Sequence, residues 1–170
     1  MRHGRKIGLS VSASAVLLLL VALGGCNDES PTSTGLSDVT LSAAEISVND
    51  QSLDGQTIHQ GEYVGPVRYE ARLVDHQGNP VAGGRVLVQI ETSGMMGPMH
   101  GYTGQVNCYD DGTHGDLVPG DGAYCFVDST QQYGCHRMGA QSGEYHYDFC
   151  GYDPQGHESN HMNLSVSLQQ

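Results

Sequence analysis

Apolar and polar residues alternate one by one in short runs, and glycine or other turn residues close every run. No other feature limits the fold of this sequence as much. Val67, Tyr69, Ala71 and Leu73 alternate with Arg68, Glu70 and Arg72. Arg85 to Thr92 repeats the pattern through Val86, Val88 and Ile90. Tyr145, Tyr147 and Phe149 alternate with Glu144, His146 and Asp148, and Met162, Leu164, Val166 and Leu168 follow the same rhythm. Successive side chains of a strand point to opposite faces, so each run reads as a half-buried strand. Gly104 to Tyr109 and Ala123 to Asp128 form a further pair around an Asp/Gly loop. Val39 to Val48 is β-compatible, although its SAAE stretch could begin a helix. With 24 glycines in 170 residues and no sustained 3.6-residue period, the chain predicts an all-β fold of about seven strands, a two-sheet antiparallel sandwich.

The N-terminus has a different character. A basic start (MRHGRK) leads into an apolar run from Val16 to Leu23, then two glycines, then Cys26. That layout is an export signal over residues 1–25, too short in its apolar part to span a bilayer comfortably. The string LGGC resembles the bacterial lipobox, which implies that Cys26 is lipidated and anchors the protein to a membrane. In Gram-negative lipoproteins a residue other than Asp after that cysteine, here Asn27, implies the outer membrane. Residues 26–38 have linker composition and read as a tether, leaving 39–170 as one domain.

Charge narrows the partners. Arg2, Arg5 and Lys6 belong to the signal, whereas all nineteen acids lie after residue 25. A chain starting at Cys26 carries four arginines, no lysine and a net charge of −15. Phosphate binding needs clustered cations, so nucleic acid is not an expected partner. The cysteines fit an oxidising compartment. Cys108, Cys125, Cys135 and Cys150 are even in number and allow three pairings, of which the local one, Cys108–Cys125 with Cys135–Cys150, is expected. A four-cysteine zinc site is the competing use, disfavoured because no C-x-x-C spacing is present.

The segment VRYEARLVDHQGNPVAGGRVLVQIE, the closing run GEYHYDFCGYDPQGHESNHMNLSVSL and the loop YDDGTHGDLVPGDGAYCF together resemble bacterial immunoglobulin-like or fibronectin-like extracellular domains. The resemblance covers roughly Val39 to Leu168, with the Asp/Gly loop as its more specific part. It implies an immunoglobulin-like sandwich in a binding, spacing or display role and not an enzyme. The antibody-type Cys and Trp set is missing, since the chain has no Trp.

Within the loop, Asp111, Asp116 and Asp121 recur every five residues with Asp110 adjacent. Calcium takes six to eight hard oxygen ligands, and glycines let a short loop gather them, so a Ca2+ site is one reading. The other is a set of solvated Asp-Gly turns. HESNH at 157–161 is a literal H-E-x-x-H, the string of zinc hydrolases, but it needs a helix to bring both histidines to one ion. Here it follows Asp-Pro-Gln-Gly and runs into an alternating strand, where residues four apart are about 13 Å apart. Met95, Met96, Met99 and His100 offer thioether and imidazole donors suited to copper, with His136, His146 or His161 as further ligands if the fold gathers them. Tyr102, Tyr133 and Tyr152 could form a sugar-stacking surface. No nucleophile elbow or phosphate loop is present. The expectation is a non-catalytic envelope lipoprotein whose module meets a protein or glycan partner.

Overall fold

The computed structural model describes residues 38–94 and 101–170. The signal, Cys26, nearly all of the tether and the segment holding Met95, Met96, Met99 and His100 lie outside the described residues. Nine strands form among the described residues: β1 (Val39–Val48), β2 (Gln51–Ser52), β3 (Thr57–His59), β4 (Val67–Asp75), β5 (Arg85–Gly94), β6 (Gly101–Cys108), β7 (Ala123–Asp128), β8 (Gly143–Tyr152) and β9 (Glu158–Gln169). All seven expected strands are among them, and β2 and β3 are additional.

The strands make two sheets, ordered β2-β1-β4-β7 and β3-β9-β8-β5-β6. Relabelled, β1-β4-β7 follows the A-B-E order of an immunoglobulin sandwich, and β9-β8-β5-β6 follows G-F-C-C′. The SAAE stretch is strand, because pairing with β4 from Val39↔Asp75 to Val48↔Val67 outweighs local helix preference. The sandwich is not wholly antiparallel. After β2 the chain crosses to the other sheet, and β3 runs parallel to β9, from Thr57↔Ser167 to His59↔Gln169.

The alternating apolar positions fill the space between the sheets. Ile46, Val67, Tyr69 and Leu73 on one side meet Val86, Val88, Ile90, Tyr147 and Phe149 on the other, all fully buried. An antibody domain joins its B and F strands with a disulfide packed on Trp. In the corresponding strands of this chain, Tyr69 of β4 and Tyr147 of β8 lie with ring centroids 6.2 Å apart. Two residues before Tyr147, the Tyr145 hydroxyl donates to the Gln141 carbonyl at 2.9 Å, which is the tyrosine corner of this architecture. Aromatic packing thus occupies the place of the missing cysteine bridge.

Two irregularities position the sites described next. The β6–β7 connection, Tyr109 to Gly122, folds back on itself, anchored where Tyr109 and Cys125 exchange backbone hydrogen bonds of 2.9 and 2.8 Å. Between β8 and β9 the register slips, so that Cys150 faces His161 but Tyr152 faces Glu158.

Candidate functional site

The Asp/Gly loop brings three of its four acids together. Ligand atoms of Asp110, Asp116 and Asp121 all lie within 4.8 Å of one another. Backbone amides hold them there. Asp110 accepts from Gly120 (2.6 Å) and Asp121 (3.2 Å) on one oxygen and from Gly122 (3.1 Å) on the other. Asp116, itself buried, accepts from Gly112 at 2.7 Å and Val118 at 3.0 Å, and Asp121 accepts from Ala123 at 2.9 Å. A carboxylate has about four acceptor positions, so these bonds leave lone pairs free on each of the three. Burial pushes the Asp110 carboxyl up, against its three amide bonds, and the nearby Asp116 charge adds to the rise. Asp111, the fourth expected ligand, is turned away. Its carboxylate accepts from the Thr113 hydroxyl and amide and stands 3.8 Å from the His114 ring, and these contacts lower its pKa, the Thr113 hydroxyl most of all. Asp111 therefore shapes the turn that carries His114 onto Tyr109, with ring centroids 4.2 Å apart.

A second cluster lies on the outer face of the five-stranded sheet. Cys150, Glu158 and His161 also place their ligand atoms within 4.8 Å of one another. In a regular strand, residues three apart point to opposite faces. The slip in register between β8 and β9 puts Glu158 and His161 on the same face instead. Gly151 permits it: a Cβ there would lie 2.6 Å from Leu73 Cδ1, and its amide donates to the Ser159 hydroxyl at 2.8 Å. His161 is held at both ring nitrogens, Nε2 against Glu158 at 2.9 Å and Nδ1 against Asp148 at 2.9 Å. Both carboxylates favour the imidazolium, so the His161 pKa is raised, chiefly by Glu158, and the Glu158 pKa is lowered, chiefly by His161. Burial raises the Cys150 thiol, and hydrogen bonding to that thiol carries Tyr152 up to about 12. Arg85 lies over the Tyr152 ring at 4.5 Å, closing the row.

The HESNH histidines, both among the described residues, do not converge. Residues 158–169 are strand, not helix, so the two histidines of HESNH part company. His157 binds Asp153 at 2.7 Å in the preceding turn, while His161 joins the outer-face cluster. The copper expectation rests on Met95, Met96, Met99 and His100, which lie outside the described residues. His136 sits in a 3-10 turn (Gly134–His136) with Nε2 buried and unpartnered, and desolvation lowers its pKa. His146 stands 3.9 Å from Glu144, and lies about 13 Å along β8 from the Cys150 position opposite His161. Tyr133 packs edge-on against Phe126 at 6.1 Å, and Tyr152 stacks under Arg85, so each ring has a partner of its own.

The expected disulfides are absent, and all four thiols are free and buried. Strand alternation is the reason. Cys108 faces the core, with Sγ 3.9 Å from the Tyr69 carbonyl, whereas Cys125 pairs with the outward Glu70 and lies beneath Gly115 of the loop. Cys135 bonds the inward Tyr147 hydroxyl at 3.2 Å, whereas Cys150 is on the opposite face of β8. Each local pair thus has its two thiols on opposite faces of a sheet.

The Cys150 cluster was hidden from sequence reasoning because its ligands belong to two strands whose register depends on one bulge. A glycine directly after Cys150, inside a strand pattern, was the available signal.

No family model matches the chain, and no curated protein matches it. Among solved structures, the ZirS C-terminal domain is similar at 15% identity and TM-score 0.36, covering 99% of this chain and 97% of that one. MtrC from Shewanella baltica OS185 is similar at 12% identity and TM-score 0.34, covering 76% of this chain and 21% of that one.

Proposed function

We propose that this chain is a lipid-anchored protein of the bacterial cell envelope, at the outer membrane, whose immunoglobulin-like sandwich is a non-catalytic binding or structural module stabilised by Ca2+. The observation that carries the calcium assignment is the convergence of Asp110, Asp116 and Asp121, drawn from positions spread over twelve residues of a glycine-rich loop. Three carboxylates so close repel one another, and a divalent cation removes that cost while using the lone pairs the backbone leaves open. The same loop displays Leu117 and Val118 at its surface, Leu117 87% exposed, on a turn that Asp116 pins through the Val118 amide. Apolar side chains held on a rigid loop suit contact with a protein or glycan partner. The LGGC motif supports anchoring through Cys26.

Calorimetric titration with CaCl2 tests the loop. One ion per chain is expected for the native protein and none for Asp121→Asn. Absence of binding by the native protein at millimolar calcium would refute the assignment. Anchoring is tested apart from it: Cys26→Ala should move the protein from the membrane fraction to the soluble one, and unchanged fractionation would refute lipidation.

A further inference from the structure

We propose that the outer face of the five-stranded sheet carries a site for Zn2+ or a like borderline cation, with Cys150, Glu158 and His161 as ligands and Asp148 orienting the imidazole. The donor set points to this class. One thiolate, one imidazole nitrogen and one carboxylate oxygen are what four-coordinate zinc takes from proteins, whereas calcium takes oxygen alone. The ligand atoms already lie within 4.8 Å of one another, so side-chain adjustment of a few tenths of an ångström would bring all three within about 2.0–2.3 Å of one ion.

The histidine carries the more specific sign. Its Nε2 points at Glu158 and its Nδ1 at Asp148, both at 2.9 Å. When Nε2 binds a metal, Nδ1–H continues to donate to Asp148, and that carboxylate–histidine pairing is the usual outer-shell support of a zinc-bound imidazole. A simple surface ion pair needs only one of the two acids, whereas here two acids and the thiol gather on one imidazole. Here Cys150, although on the outward face of β8, is only 6% exposed, covered within a cluster whose other two members are open to solvent. Metal binding is balanced by loss of two protons, one from the thiol and one from Nε2 of the imidazolium. Three protein ligands leave a fourth position for water or a partner's side chain. This site shares no residue with the Asp/Gly loop, so either can fail without the other.

Cobalt titration of the purified full chain, kept reduced, tests the proposal. One equivalent of Co2+ should produce a near-ultraviolet thiolate-to-cobalt band with visible bands of a four-coordinate ion. Zn2+ should erase them, and excess Ca2+ should not. Cys150→Ser should abolish the thiolate band, and Asp148→Asn should weaken Co2+ and Zn2+ binding about 10–100-fold. Asp121→Asn should leave both unchanged. The proposal is overturned if the native chain gives no thiolate band at millimolar Co2+, or if the band survives in Cys150→Ser. Should Cys150→Ser fail to fold, the exposed variants His161→Gln and Glu158→Gln decide, and native affinity in both would equally overturn it.

Discussion

Tyr69 and Tyr147 face each other across the core, yet only one of their hydroxyls has a partner. The Tyr147 oxygen accepts from the Cys135 amide at 3.1 Å and lies 3.2 Å from its sulfur. The Tyr69 hydroxyl is buried with no hydrogen bond. An unmade buried bond costs about 1–3 kcal/mol, so Tyr69→Phe should raise stability by about 1 kcal/mol. Tyr147→Phe strands the Cys135 amide and should lower it by about 1–3 kcal/mol. Paired urea denaturations check the two signs, and destabilisation by both would contradict this account of the core. Asp75 makes a pH prediction. Hydrogen bonds from the Asn79 side chain and backbone hold its carboxyl below the ordinary value of 3.8. A carboxyl with a depressed folded pKa contributes stability that is complete above the unfolded value and lost as pH falls through the folded one. Asp75→Ala should therefore lower the melting temperature at pH 7, and the gap to native protein should narrow below about pH 4. A gap that stays constant down to pH 2 would show that the turn, not the charge, sets it.

At the scale of the element, alternation was legible and irregularity was not. Each of β4, β5, β8 and β9 could be read directly, because a period of two is written in the residues themselves. The parallel partnership of β3 with β9 could not, since three residues, Thr57 to His59, carry no pattern long enough to assign. The same limit explains the cysteines and the metal ligands. An even number of cysteines in local order suggests hairpin bridges, but which face each takes depends on its strand's phase, and the shared face of Glu158 and His161 turns on the bulge opposite Gly151. That bulge is testable. Gly151→Ala places a methyl group 2.6 Å from Leu73 Cδ1 and should cost about 1–3 kcal/mol by overpacking. Because Cys150, Glu158 and His161 share a face through the slipped register, the same variant should weaken zinc binding even at temperatures where it remains folded. Unimpaired binding would separate the cluster from the bulge.

For the whole molecule, the acidity is partly local structure. Of nineteen acids, Asp110, Asp116 and Asp121 form one cluster, Glu158 belongs to another, and Asp148 flanks that second one. The loop acids were legible as a candidate site because glycine spacing is a local property. That Asp111 leaves the cluster depended on a turn through Thr113 and His114 that composition does not reveal. The central claim, a sandwich whose loop is closed over calcium, is tested most directly by thermal melting of the full chain in excess Ca2+ and in EGTA, with Asp116→Ala beside it. An ion held at a hundred times its dissociation constant adds about 2.7 kcal/mol, which for a domain of this size is on the order of 10 °C. The account predicts a rise of that order for the native chain in calcium, and no calcium response in Asp116→Ala. Melting curves of the native chain that coincide in calcium and in EGTA would contradict it.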